Sequence, residues 1–220
     1  MKIIKLISII LFIFFLNKPS YGQSSERDFS KILHTYYLYK DKDLVDKTID
    51  YINNSPTTYE NLESILKGFF GALFLSDESV KKSFNENFDR IENSDFKELL
   101  ESLNSSNIDT IYSKAKITAD YNDMNWASYF ATGNLKYLDN IISNISYDNE
   151  REDIVLFLAG ASAKWSLCSN ANQDEVVKKY LESLKDKNEN IKEILDNDPR
   201  YFKNKTVEII KTQKSKGVWN

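Results

Sequence analysis

The sequence of 220 residues contains one cysteine and one histidine. One cysteine excludes a disulfide framework and any cysteine-ligated zinc or iron–sulfur site, and one histidine excludes metal sites built on two or three histidines. Six glycines and three prolines are few for this length, whereas a β-sandwich or barrel needs turn residues about every 8–12 positions. An all-β fold is therefore not expected. Glycine motifs for nucleotides and the nucleophile elbow of hydrolases are also absent from the sequence.

The sequence contains enough apolar residues to form a hydrophobic core. Hydrophobic residues make up 41% and aromatic residues 13% of the sequence, which excludes a disordered or collagen-like chain. The length suits one domain or at most two small ones.

Residues 1–22 have the pattern of a secretory signal peptide. Lys2 and Lys5 precede an apolar run over residues 6–16, and a proline and small residues follow before the expected cleavage site at Gln23. The alternative is an uncleaved membrane anchor, but eleven residues span only about 16 Å as a helix, roughly half a bilayer core. No cysteine follows the apolar run, which excludes a lipid-anchored lipoprotein. We expect a single domain over residues 23–220, with no membrane span in the mature chain.

Removal of this leader changes the formal charge from −4 to −7. Nucleic acids and anionic membranes are bound through clusters of Lys and Arg, so neither is an expected partner of an acidic chain. The richness in Asn, Ile and Lys indicates an AT-rich, bacterial genome. The sequence thus predicts an exported protein, either periplasmic or secreted.

The pattern of apolar residues predicts helix almost throughout the mature chain. The expected helices are 26–39, 42–53, 58–75, 77–92, 95–103, 107–117, 122–132, 135–146, 150–169, 174–186, 188–196 and 203–213. Capping side chains three residues before a glutamate are expected at Thr57, Asn172 and Asp186. Gly133 marks the end of a helix and Asn134 can cap the next.

Similar apolar stripes recur in four of the predicted helices, each after an aromatic-rich helix and a short turn. The stripes begin near residues 44, 79, 137 and 176, so two of the three steps are 35 and 39 residues long. Hairpins of this length are typical of α-solenoids. The sequence predicts an all-α fold of antiparallel helical hairpins, stacked in an α-solenoid-like or compact right-handed array.

The segment Trp126-Ala-Ser-Tyr129-Phe-Ala-Thr-Gly133-Asn-Leu-Lys-Tyr137 resembles a degenerate tetratricopeptide-type hairpin. Its glycine falls in the turn between the helices rather than inside the first helix, and the family's second-helix alanine and terminal proline are missing. This stretch and a second one around Trp165 also resemble segments of uncharacterised bacterial exported helical proteins. The resemblance implies a style of helix packing and no activity.

The residues that could act in catalysis or metal binding each have a structural interpretation as well. His34 lies on the first mature helix without a motif partner, so a structural or surface role is expected, although pairing with Cys168 stays open. Cys168 follows Trp165 on an apolar face and is expected to be buried. The carboxylates around Asp196 begin like a calcium loop but lack its glycine and final glutamate. We expect no cofactor and no metal.

Small residues on the helices predict close packing, and the basic C-terminal stretch has two possible interpretations. Gly68, Gly71 and Gly160 lie on predicted helices where close backbone approach is expected. The stretch over 203–219 is either a solvated helix with a frayed tail or a docking tail anchored by Trp219.

The leading functional hypothesis is a protein- or peptide-binding helical module rather than an enzyme, and its expected partner is another exported or envelope protein. The candidate binding residues are Tyr37, Trp126, Tyr129, Asn134, Tyr137, Asn170 and Trp219. Most of the aromatic residues in this set are expected to fill the core. The alternatives are a helical carboxylate-dependent hydrolase or lyase, and a secreted effector.

Overall fold

A computed structural model describes residues 24–54 and 57–219, and these residues form twelve α-helices and no strand. The predicted signal peptide over 1–22 lies outside the described residues. The helices are α1 (Ser24–Tyr39), α2 (Leu44–Asn54), α3 (Tyr59–Ser76), α4 (Glu78–Asn85), α5 (Ser94–Ser105), α6 (Ile108–Lys114), α7 (Ala119–Thr132), α8 (Lys136–Asn144), α9 (Ile154–Ala171), α10 (Glu175–Leu184), α11 (Glu189–Asp196) and α12 (Pro199–Ser215). Short 3-10 turns cover Phe88–Arg90, Ile145–Asn149 and Lys185–Lys187. The all-α prediction is confirmed.

Side-chain caps explain where most of these helices begin. Seven of them start after an Asp or Asn whose side chain accepts backbone N–H groups that the helix itself leaves unpaired. These residues are Asp77, Asn93, Asn107, Asp153, Asp174, Asn188 and Asp198.

Several predicted boundaries are wrong because a neighbouring residue is the cap. Asp174 and Asn188 cap α10 and α11, in place of Asn172 and Asp186. At α3 the capping position is Thr58, and its side chain makes no capping hydrogen bond, so the capping box expected at Thr57 is wrong. α12 begins four residues earlier than expected because Asp198 caps it and Pro199 suits the first helical position.

The described residues divide into two compact units that share α7 and α8. The first contains residues 24–115 and 123–137, and the second contains 116–122 and 138–219. The expectation of a single domain over 23–220 stays a prediction. None of the described helices is both long and apolar enough to span a membrane.

In the first unit, α3 is the central helix, and it contacts α4, α5 and α6. Leu66, Phe69 and Leu73 on α3 are completely buried. Gly68 has no room for a side chain, because a Cβ there would lie less than 3.0 Å from backbone atoms of Met124. Its carbonyl oxygen accepts a hydrogen bond from the Ser128 hydroxyl at 2.8 Å. The small residue therefore permits the close helix contact that its position predicted.

In the second unit, α9 has the corresponding central position and contacts α10, α11, α12 and the turn Ile145–Asn149. A Cβ on Gly160 would lie less than 3.0 Å from backbone atoms of Tyr147 and Asp148. The turn can therefore approach the α9 backbone only where a glycine stands. This is the close approach expected for Gly160 from the sequence.

The predicted apolar stripes are buried in the structure. In α2, α4 and α8 they place Leu44, Ile49, Ile52, Phe84, Tyr137, Leu138 and Ile141 in the interior. The stripe of α10 is narrower, since Val177 and Leu181 are buried whereas Val176 is 42% exposed. Gly133 ends α7 with φ +71, and Asn134 accepts a hydrogen bond from the Lys136 backbone N–H, as expected for a stop and a cap.

Candidate functional site: a groove along the last helix

The second unit carries a groove of about 380 Å³ against one face of α12. Its lining residues are Arg151, Glu208, Ile209, Thr212, Gln213 and Lys216. Four of these residues belong to α12 and Lys216 follows it directly, and their spacing of three or four residues places them along one side of the helix. Arg151 comes from the segment that joins the turn Ile145–Asn149 to α9.

Gln213 is the most informative residue in this lining. It is 92% buried, since its exposed fraction is 8%, and its side-chain amide makes no hydrogen bond to any described residue. An amide side chain offers two donors and a carbonyl acceptor. The groove therefore contains an unused hydrogen-bonding group that a ligand could satisfy.

Arg151 is held in place by the backbone around it. One guanidinium nitrogen, Nη1, donates to the carbonyl oxygens of Asp148 and Glu150, each at 2.7 Å. The guanidinium also lies 5.3 Å from the centre of the Phe157 ring. Its remaining donors make no hydrogen bond to a described residue, so they are available at the edge of the groove.

The charges of the groove are mixed but favour a negative group. Arg151 and Lys216 are cationic and Glu208 is anionic, whereas the whole chain has a formal charge of −4. Ile209 adds an apolar surface between them.

A buried ion-pair cluster fixes α12 beside α9 and α11. Lys164 of α9 lies 3.0 Å from a carboxylate oxygen of Asp148 and 2.8 Å from one of Glu193. Lys205 of α12 lies 2.7 Å from the other oxygen of Glu193 and 3.9 Å from Asp148. The side chains of Lys164 and Asp148 are only 3% and 5% exposed. These contacts position the helix that supplies most of the groove.

The pKa of Glu193 reflects this cluster. Burial alone would raise the pKa, but hydrogen bonds from Lys164 and Lys205 outweigh burial and lower it to about 2. A carboxylate-dependent hydrolase needs an acid whose pKa is raised. The pKa values of Asp77 and Glu150 are also lowered, in both cases by hydrogen bonds that the carboxylate accepts from nearby residues.

The C-terminal end of α12 is folded rather than frayed. Gly217 has φ +69, its N–H donates to Lys214, and the N–H of Val218 donates to the carbonyl of Gln213. This is a Schellman motif, in which a glycine just beyond the helix reverses the chain. The reversal brings Trp219 to 4.9 Å from Phe157, and Trp219 is 3% exposed. The expectation of a frayed tail is wrong.

The residues predicted to bind a partner lie mostly in the interior. Trp126, Tyr129, Tyr137 and Trp219 are buried, so they contact other side chains of the chain itself. Tyr37 is half-buried and contacts Tyr129. Asn134 is exposed and caps α8, and half-buried Asn170 donates to the Ser166 carbonyl. That most of the aromatic residues fill the core is confirmed, whereas the binding role of the set stays a prediction.

His34 and Cys168 each have local partners. The Nδ1 atom of His34 lies 2.7 Å from the Ser30 carbonyl oxygen, and burial lowers the pKa of this histidine. Cys168 is buried, as predicted, and its thiol donates to the Asn197 carbonyl oxygen. Over residues 24–54 and 57–219 no group of three His, Cys, Asp or Glu side chains could hold a metal ion.

No sequence pattern indicates that the groove is a binding site. Gln213 stands among lysines in a stretch interpreted as a solvated face, and Arg151 follows a glutamate in an expected helix start. The one available signal was Gly217, whose position after a helical pattern predicts a chain reversal that covers the end of α12.

Comparison of the chain with protein-family models, curated proteins and solved structures found no match.

Proposed function

We propose that this chain is a protein- or peptide-binding helical module that takes a short peptide segment into the groove along α12. The observation that carries the proposal is Gln213, a residue with 8% of its surface exposed, whose side-chain amide lines the groove without a hydrogen-bond partner among the described residues. A peptide group has one N–H donor and one carbonyl acceptor, which matches an amide side chain in both roles.

The rest of the groove suits the same kind of ligand. Ile209 offers a surface for one apolar side chain, and Arg151 and Lys216 offer donors to carbonyl or carboxylate oxygens. Its volume of about 380 Å³ is near the lower end of the range for ligand pockets, about 300–1,000 Å³. A segment of two or three peptide residues is therefore the occupant that we propose, rather than a folded surface.

The proposal includes the hairpin arrangement that the sequence predicted. The buried stripes of α2, α4 and α8, each following an aromatic-rich helix, are consistent with stacked tetratricopeptide-like hairpins. In this arrangement the central helices α3 and α9 support the outer helices. The groove would then lie on the outer helix of the second unit.

We further propose that the chain is exported and that its partner is another exported or envelope protein. The basis is the charge and apolar pattern over residues 1–22. In the producing cell, we expect protein from the periplasm or the medium to begin at Gln23 when its N-terminus is sequenced. Protein that keeps Met1 and stays in the membrane fraction would contradict export by cleavage.

Peptide binding is tested by blocking the groove. A pool of soluble randomised hexapeptides is passed over the immobilised chain, and retained peptides are identified by mass spectrometry. Thr212→Trp introduces a bulky ring at an exposed position that lines the groove. Because surface substitutions usually change stability by no more than about 0.5 kcal/mol, the variant should remain folded.

Lys211→Trp is the matched control, since it adds the same ring to an exposed neighbour that does not line the groove. We expect the original chain and the control to retain the same peptides, and Thr212→Trp to lose them. Equal retention by all three proteins, with circular dichroism showing that all are folded, would place peptide binding elsewhere.

A further inference from the structure

We infer that the groove recognises the free C-terminal carboxylate of its peptide, an inference that rests on the proposed function and specifies the ligand. The juxtaposition behind it is the side-chain amide of Gln213, which makes no hydrogen bond to a described residue, in one groove with two cations, Arg151 and Lys216. Internal peptide segments carry no backbone charge, whereas a terminal carboxylate offers two anionic oxygens to the donors of both cations.

The guanidinium of Arg151 is already oriented before a carboxylate binds. Two carbonyl oxygens already hold its Nη1 atom, which fixes the plane of the group. Its other donors make no hydrogen bond to a described residue, and paired donors of arginine match the two oxygens of a carboxylate. Because the orientation is set before binding, little side-chain entropy is lost when a carboxylate arrives.

The spacing along α12 matches the end of a peptide. Gln213 and Lys216 are separated by about 4.5 Å along the helix axis, and one residue of extended peptide spans about 3.5 Å. A carboxylate beside Lys216 would thus place the last peptide N–H and the preceding carbonyl near Gln213. Ile209 lies about 6 Å along the axis in the other direction, within reach of the side chain of the penultimate or preceding residue.

Glu208 favours a peptide over a small dianion. Its carboxylate lines the same groove and repels an additional negative charge, while it can accept a hydrogen bond from an upstream peptide N–H. Inorganic phosphate would bring up to two negative charges close to Glu208. A single terminal carboxylate followed by neutral amides fits all of these groups.

The test uses the ¹⁵N-labelled chain and two probes that differ only at one end. N-acetyl-trialanine with a free carboxylate and the same peptide with a C-terminal amide are titrated to millimolar concentration, and the side-chain NH₂ resonances of Gln213 are followed by NMR. We expect the free acid to shift these resonances and the amidated peptide to leave them unchanged.

Lys216→Gln and Arg151→Gln should each weaken binding of the free acid about tenfold, the effect of one charge-assisted hydrogen bond. Lys214→Gln is the matched control, because it removes the same charge from an exposed neighbour outside the groove, and its affinity should equal that of the original chain. Lys216 is exposed, so this variant keeps the test valid if Arg151→Gln does not fold.

The results distinguish failure of carboxylate recognition from failure of peptide binding. Equal shifts with both peptides would overturn carboxylate recognition and leave peptide binding intact. Equal shifts with inorganic phosphate and the free acid would overturn it as well, since the groove would then be a general anion site. If neither peptide shifts Gln213 and the randomised pool is also not retained, both the inference and the proposed function are wrong.

Discussion

Lys164 and Asp148 form an ion pair of 3.0 Å in the interior of the second unit, where both side chains are almost completely buried. Asp148 belongs to the turn that crosses Gly160, and Lys164 lies one helical turn further along α9. The pair therefore joins the turn to the helix at the place where their backbones are closest. Glu193 and Lys205 extend the contact to α11 and α12.

Replacement of Lys164 by methionine should be strongly destabilising. The substitution leaves the buried Asp148 carboxylate without its nearest cation, and breaking a buried pair in this way costs about 3–5 kcal/mol. The urea midpoint of unfolding measures the effect. Lys205→Met is the control, because Lys205 is 35% exposed and its loss leaves Glu193 paired with Lys164. If Lys205→Met lowered the urea midpoint more than Lys164→Met, the buried pair of Lys164 and Asp148 would not be the main stabilising contact of this cluster.

Glu193 should make the stability of the protein depend on pH in the acidic range. Its pKa is about 2 in the folded chain against an ordinary value of 4.5, so the unfolded chain takes up the proton first as the pH falls. The stabilisation is fully present above about pH 5 and is lost as the pH falls towards 2. Thermal melting of the original chain and of Glu193→Gln should therefore differ most near neutral pH and converge in acid. If the melting temperatures of the two proteins differed by the same amount at every pH, Glu193 would not be the cause of the pH dependence.

Gly160→Ala should cost about 3 kcal/mol, at the upper end of the usual range for overpacking, because the new methyl group meets backbone atoms of Tyr147 and Asp148 that cannot move independently. Gly71→Ala is the matched control on another central helix. There the nearest atom is the flexible end of the Ile108 side chain, and alanine favours helix by about 1 kcal/mol. We expect a much lower melting temperature for the first variant and little change for the second. Similar melting temperatures for the two variants would mean that the turn Ile145–Asn149 does not require a glycine at position 160.

Cys168 should be unreactive in the folded protein. Burial, assisted by the nearby charge of Asp198, raises the pKa of its thiol to about 11, so almost no thiolate is present at pH 8. With an aromatic disulfide reagent we expect no release of thiolate from the folded chain and one equivalent after unfolding in urea. Rapid release of one equivalent without denaturant would show that the thiol is accessible.

The helices could be predicted because local patterns determine them. The stripe that includes Leu44, Ile49 and Ile52 needs only a 3.6-residue period to be recognised, and the structure buries all three side chains. The small residue at Gly160 likewise indicated a close backbone contact, which the structure confirms.

Helix starts were less predictable because several capping residues stand side by side. Asn172 and Asp174 both precede α10, and Asp186 and Asn188 both precede α11. In each case the second residue is the cap, since Asp174 accepts hydrogen bonds from two backbone N–H groups of α10 and Asn188 accepts one from α11. Local sequence alone does not distinguish neighbouring caps.

The ion-pair cluster that positions α12 could not be predicted because its members are far apart in the chain. Asp148, Lys164, Glu193 and Lys205 meet only when the turn, α9, α11 and α12 pack together. Gln213 gave no signal of its own, since its burial depends on the segment around Arg151 that lines the other side of the groove. Individual residue types identify such a group only after the packing is known.

Lys164 also matters before the chain folds. It is the only charged residue in α9, and the ten helix residues before it, 154–163, carry no charge at all. Uncharged apolar stretches of this kind cause newly made or unfolded chains to aggregate, and a flanking charge suppresses that association. The lysine that is neutralised by Asp148 and Glu193 in the folded unit thus acts as a gatekeeper residue in the unfolded chain. Its replacement by methionine should lower the yield of soluble refolding as well as the stability of the folded protein.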